Sequence, residues 1–239
     1  MKKGFNIGVL ILVLGFSVFL MVFSSKRFSH RKVSSIETVI HDEQGLFVTD
    51  EIVNNLLKQN GDSLKNQLNS ELNLHNLEVR IAAHPLIKEA LVYQDVNGGL
   101  GVEIFQKTPL LRLFVGGKSM YLDTDGNIMP WTENFSARVP VYGGNWDEGI
   151  QKEVFGLANW LQSQDFWENE CVAIQWKENE GYVIQTRTAN HQVILGSLEK
   201  MEYKLKKYEV FLGAALNQGL AKSYQKVNLK FNNQVVCSK

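Results

Sequence analysis

Nineteen consecutive residues, Phe5 to Phe23, hold only two polar members, Asn6 and Ser17, between Lys2 and Lys3 on one side and Lys26, Arg27, Arg31 and Lys32 on the other. As a helix such a run rises about 28 Å, close to the roughly 30 Å hydrocarbon core of a bilayer. The expectation is one transmembrane helix over 5–23, with Phe5, Leu10, Leu14, Phe19 and Phe23 among its lipid-facing anchors, a cytoplasmic tail at 1–4 and a basic juxtamembrane linker at 24–32. A cleavable secretory signal has a core of about 7 to 15 apolar residues. Val22-Phe23-Ser24 could serve as its cleavage site, but this core is longer and a basic cluster follows it.

All 25 acidic residues lie at or beyond Glu37, whereas six of the 25 basic ones lie at or before Lys32, so residues 33–239 carry 19 Lys and Arg against 25 Asp and Glu. A nucleic-acid binder needs a basic stripe to neutralise phosphates, and the basic cluster here sits at the lipid flank, where anionic headgroups account for it. Nucleic acid is therefore not expected as a partner, and the bilayer is. The remaining 207 residues suffice for two modest cores.

Cys171 and Cys237 are the only cysteines. They read as two small buried hydrophobes or, in an oxidising compartment, as a bridge. His30, His41, His75, His84 and His191 are dispersed, which predicts surface or half-buried side chains rather than metal ligands. Asp123, Asp125 and Asn127 have the opening spacing of a calcium loop, but Ile128 replaces the required glycine and Asn134 the closing glutamate, so a hairpin turn is expected.

Val33–Asp42, ending before Gly45, alternates in part and predicts a strand. Thr49 then precedes Asp50 and Glu51, with Ile52, Val53, Leu56 and Leu57 on one helical face. This predicts a capped helix to about Gln59, stopped by Gly61. A second helix is expected over Asn73–His84, ended by Pro85, and a hairpin over Ile87–Val96 and Leu100–Phe105, turned by Asn97-Gly98-Gly99. Residues 76–114, NLEVRIAAHPLIKEALVYQDVNGGLGVEIFQKTPLLRLF, resemble the end of a POTRA domain as found in bacterial division proteins of the FtsQ/DivIB type, with His84-Pro85, Ala90, Val92 and Pro109 as landmarks.

Downstream, KSMYLDTDGNIMPW at 118–131 predicts a hairpin, and Val139-Pro140-Val141 with Gly143-Gly144 leads into a helix over Glu148–Gln162. Trp160, Phe166 and Trp167 are read as core packing at its end. Cys171–Trp176, Tyr182–Thr188 and Gln192–Leu195 predict a meander, Leu198–Leu216 a helix facing inward through Met201, Leu205, Tyr208, Phe211, Leu212 and Ala215, and Lys226–Cys237 a terminal strand. This order resembles the β-domain of the same division family. One departure stands in the last strand. Where the family commonly carries an Asp-x-Arg-Tyr-like motif followed by glycine, this chain has Asn228-Leu229-Lys230-Phe231 and then Asn232-Asn233.

The fold expected is α+β: a single N-terminal transmembrane helix, a POTRA domain (β-α-α-β-β) over 33–112, then a mixed α/β domain over 113–239 with a mostly antiparallel meander sheet and a terminal edge strand. The resemblance implies a non-enzymatic scaffold of the division machinery, without cofactor, metal or small-molecule substrate. It implies a single-pass protein of the inner membrane, cytoplasmic at its N-terminus, periplasmic in its bulk and concentrated at the septum. The charge rule alone favours a cytoplasmic bulk, since more Lys and Arg follow the apolar run than precede it, but large domains cross largely regardless of charge. The implied partners are division membrane proteins of the small coiled-coil type (FtsB/FtsL-like), met by Val227, Leu229, Lys230, Phe231 and Gln234. The alternative is a POTRA module assisting outer-membrane protein assembly or secretion.

Overall fold

The computed structural model describes residues 2–29, 32–41, 47–58, 64, 65, 67–95 and 97–239, with backbone alone at 2–9, 24–29 and 69. Asp42, Gly45, Gln59, Gly61 and Val96, invoked above as ends of elements, lie outside the described residues, as does His30. Helix α1, Lys2–Ser29, contains the whole apolar run. Its described side chains, Leu10 to Phe23, are exposed, and on those residues alone no helix is long and apolar enough to cross a membrane.

The chain divides into two compact units, with Gln106 closing the first and Lys107 opening the second. In the first unit β1, Ile36–His41, starts three residues later than expected. Helix α2, Asp50–Leu57, is capped by Thr49, whose hydroxyl accepts from the Ile52 amide. Helix α3, Leu74–Ala82, is capped by Asn73 in the same way. Both caps satisfy an amide that the first helical turn leaves without an intrahelical acceptor.

The hairpin β2, Ile87–Gln94, and β3, Leu100–Gln106, completes a three-stranded sheet in the order β1-β3-β2, parallel between β1 and β3. Gly98 takes the positive φ of the connecting turn, while Asp95 Oδ1 accepts from both Asn97 N and Gly99 N. Val53, Leu57, Leu77 and Ile81 from the helices are buried, as are Ala90, Val92, Leu100, Val102 and Ile104 from one face of the sheet.

The second unit is a nine-stranded sheet. It begins with β4, Pro109–Val115, and β5, Lys118–Asp123, followed by β6, Ile128–Pro130, and β7, Val141–Gly143. Because β4 pairs with β5 and β7, the segment expected to end the POTRA domain at 112 belongs to this sheet, and the division falls at 106/107. Helix α4, Glu148–Gln162, has the expected bounds, and Asp147 caps it. A short helix not anticipated from the sequence, α5 at Asp165–Glu170, buries Trp167 completely.

The expected meander follows as β8, Cys171–Lys177, β9, Gly181–Thr186, and β10, Gln192–Gly196. Helix α6, Met201–Asn217, leads to two short strands in place of one, β11 at Lys226–Asn228 and β12 at Val236–Ser238. Strand order is β12-β11-β10-β9-β8-β7-β4-β5-β6. The pairs β4/β7, β7/β8 and β10/β11 are parallel and the rest antiparallel. Parallel neighbours need a long crossover, which α4 with α5 supplies between β7 and β8, and α6 between β10 and β11.

One row of paired residues runs across seven strands: Leu113, Tyr142, Ile174, Ile184, Val193, Val227 and Cys237. Cross-strand partners share a face, and all but Cys237 join the buried residues of α4 and α6 in one core. Both cysteines are free thiols, and burial pushes that of Cys171 up to about 12. His191 departs from the expected surface or half-buried position. It is wholly buried, with Nδ1 3.0 Å from the Tyr208 hydroxyl and Nε2 2.6 Å from the Ala221 carbonyl. A carbonyl oxygen only accepts, so Nε2 carries the proton.

Candidate partner-binding surface

The C-terminal edge of the nine-stranded sheet is a small hairpin, and its construction fixes which of the expected contact residues are buried and which are exposed. β11 lies inside the sheet between β10 and β12. Val227 is therefore a core residue, and Leu229, whose amide donates to Ile194 O at 2.9 Å, is equally buried. Their side chains face inward and present nothing outside. Beyond them the chain turns: Asn228 Oδ1 accepts from Lys230 N at 3.0 Å, and Asn233 adopts φ 57°. Asparagine tolerates that left-handed conformation better than most residues. Lys230, Phe231 and Gln234 are exposed on this turn, Phe231 by 45%. The rim itself is β12, where Val236 is 43% exposed. A strand paired on one side only leaves main-chain N–H and C=O groups facing outward.

Helix α6 holds this hairpin in place. The Lys207 ammonium donates to three main-chain carbonyls of the turn, Leu229 O at 3.3 Å, Phe231 O at 2.7 Å and Gln234 O at 3.5 Å. It also lies 5.4 Å from the centroid of the Tyr203 ring. The Tyr203 hydroxyl donates to Asn233 Oδ1 at 3.1 Å. Partial burial lowers the pKa of Lys207 from the usual lysine range. Under the turn, Gly196, with φ 75°, lets the Lys230 stem lie against the backbone, since a Cβ there would sit 2.8 Å from Lys230 Cγ and Cδ.

Between α6 and the hairpin runs an open, mainly apolar groove of about 580 Å³, lined by Tyr203, Val210, Phe211 and Val235 among others. Val210 is 69% exposed at its wall. The periodicity of α6 assigns Phe211 to the inward stripe but leaves Val210 outside it. An apolar residue off the buried face of an amphipathic helix was the available sign in the sequence of a second apolar face on α6. Lys207 carried no such sign, because its acceptors belong to a turn that the sequence presents as a strand.

Asp123 Oδ1 accepts from Asp125 N and Asn127 N, so this carboxylate builds the hairpin turn. Among the described residues, no three His, Cys, Asp or Glu side chains gather where they could hold a metal ion.

Comparison with known families bears on both units. The family described as FtsQ/DivIB, C-terminal related, matches residues 108–238, which is nearly all of the second unit and more than half of the chain. The chain belongs to that family. A POTRA-like domain matches residues 31–105, the greater part of the first unit. No curated protein matches the chain. An FtsQ/DivIB-type protein thus carries its POTRA-like domain ahead of a C-terminal sheet whose last hairpin is braced by a helix.

Proposed function

We propose that this FtsQ/DivIB-type protein is a bitopic scaffold of the bacterial division machinery, acting by binding rather than by catalysis. Its partners are division membrane proteins of the small coiled-coil type, and they join at the β12 edge and the adjoining groove. The observation that carries this reading is the C-terminal hairpin: a sheet edge with one unpaired side, beside an apolar groove, fixed by the three carbonyl contacts of Lys207. An extended partner segment can add to such an edge through main-chain hydrogen bonds, with side-chain pockets supplying specificity. A partner helix can place its apolar stripe in the groove. Of the five residues expected to contact a partner, Lys230, Phe231 and Gln234 retain the role, and Val210 and Val236 join them.

The apolar run inside the 28-residue helix α1 supports a single membrane span, with the compact units on the periplasmic side of the inner membrane. Recruitment to the septum follows from this reading.

The alternative of a POTRA module receiving outer-membrane substrates on a strand edge meets an obstacle. At the outer edge of β2, the amide of Val92 already donates to Glu78 Oε1 at 2.9 Å, so a side chain from α3 occupies one of the groups an added strand would use. Val210→Asp and Phe231→Asp change exposed side chains and are expected to leave thermal unfolding within 2 °C of the parent. Together they should lower co-purification of the coiled-coil partners from membranes at least tenfold. Unchanged co-purification by a folded double variant would refute the assignment.

A further inference from the structure

The sheet of the first unit buries one face and leaves the other bare. Its pairing places nine residues on the bare side in three rows: Glu37, Gly101 and Tyr93; Val39, Glu103 and Leu91; His41, Phe105 and Glu89. Alternation sends their neighbours Thr38, Ile40, Val102, Ile104, Ala90 and Val92 to the opposite side. On the bare face Val39 is 42%, Leu91 41% and Tyr93 49% exposed.

This face is ordered rather than a scatter of surface side chains. The Tyr93 ring lies against Gly101, where a Cβ would sit 2.5 Å from two ring carbons. Its hydroxyl donates to Glu103 Oε1 at 3.1 Å. From the other side, His41 Nε2 stands 3.2 Å from Glu103 Oε2, and the imidazole stacks on Phe105 with centroids 4.5 Å apart and planes 7° from parallel. The Glu103 carboxylate is thereby fixed at the centre of the sheet, with acceptor capacity left on each oxygen. Val39 and Leu91 pair with it in its own row, and Glu37 and Glu89 stand in the rows on either side.

Three carboxylates and one imidazole over an apolar ground define the chemistry of what fits. Anionic lipid and nucleic acid are repelled. A second copy of the chain docking through this face about a two-fold axis would set Glu103 near its own equivalent, a like-charge juxtaposition. A cationic side chain with apolar neighbours meets every feature. We propose that the open face of the first sheet is a docking surface, separate from the C-terminal hairpin, for a partner protein segment in which a Lys or Arg stands between apolar residues, its cation seated on the Glu103 carboxylate.

The test places the photo-reactive residue benzoylphenylalanine at Leu91 of the full chain in living cells and identifies the joined peptides by mass spectrometry. The expected product is a peptide of another protein carrying Lys or Arg between apolar residues. Glu103→Gln, which preserves shape, should lower its yield at least fivefold while products formed from the same probe at Val236 stay constant. Should Glu103→Gln lower the melting temperature, the exposed pair Glu37→Gln and Glu89→Gln serves instead, with a twofold or greater loss expected. Joining to a second copy of the chain, to lipid or to an acidic segment, an absence of product, or yields indifferent to these variants would each overturn the proposal. Because the Val236 products report on the other surface, failure here is distinguishable from failure of the C-terminal assignment.

Discussion

Asp123 shows what single residues contribute to this molecule. Its carboxylate is 1% exposed, accepts two amides of its own turn, and faces the Lys107 ammonium at 3.4 Å, a charge contact longer than a well-formed hydrogen bond. Asp123→Ala leaves two turn amides without their acceptor, and a buried polar group left unsatisfied costs about 1–3 kcal/mol. The substitution should lower the unfolding free energy by about 2 kcal/mol in urea titrations, and a loss under about 0.5 kcal/mol would contradict the geometry. The sequence presents this aspartate only as a member of an incomplete calcium loop. Its Oδ1 contacts explain why the same spacing suits a tight turn: a short acceptor preceding the turn satisfies the amides that the reversal frees.

At the scale of elements, the amphipathic helices and the meander were legible because their periods repeat over many residues. Thr49, Asn73 and Asp147 mark helix starts through the amides they cap. The C-terminal run was not legible as a hairpin. Alternation at Val227, Leu229 and Phe231 continues smoothly toward Asn232-Asn233, and two three-residue strands give too short a pattern to separate from one longer strand. Asn228 and Asn233 shape the turn locally, and what braces it is remote in sequence: the Lys207 ammonium collects carbonyls of Leu229, Phe231 and Gln234. Lys207→Met therefore should speed amide hydrogen exchange at residues 229–238 at least tenfold while leaving β8 and β9 unchanged. Equal rates in the parent and the variant would show that the hairpin stands without its brace. The parallel pairs had a readable sign, since a helix between two strands of one sheet requires a crossover. The second strand of the 118–131 hairpin, β6, was expected, but the full extent of the sheet had no such sign, because β7, β11 and β12 are each three residues long.

At the scale of the whole molecule, a POTRA-like domain and an FtsQ/DivIB-related C-terminal sheet suggest a cell-division scaffold, and the proposed binding at the β12 edge builds on that. Binding through main-chain groups at a sheet edge demands little of particular side chains. Lys230 and Phe231, standing where the resemblance implies arginine and tyrosine, are compatible with the proposed mode, in which β12 supplies the edge and α6 positions it. The most direct measurement is hydrogen exchange of the full chain in lipid nanodiscs, with and without a purified small coiled-coil division partner. The account predicts that bound partner slows exchange of amides in Val236–Ser238 at least tenfold. Binding that leaves those amides at their free rates, with protection appearing elsewhere, would contradict it.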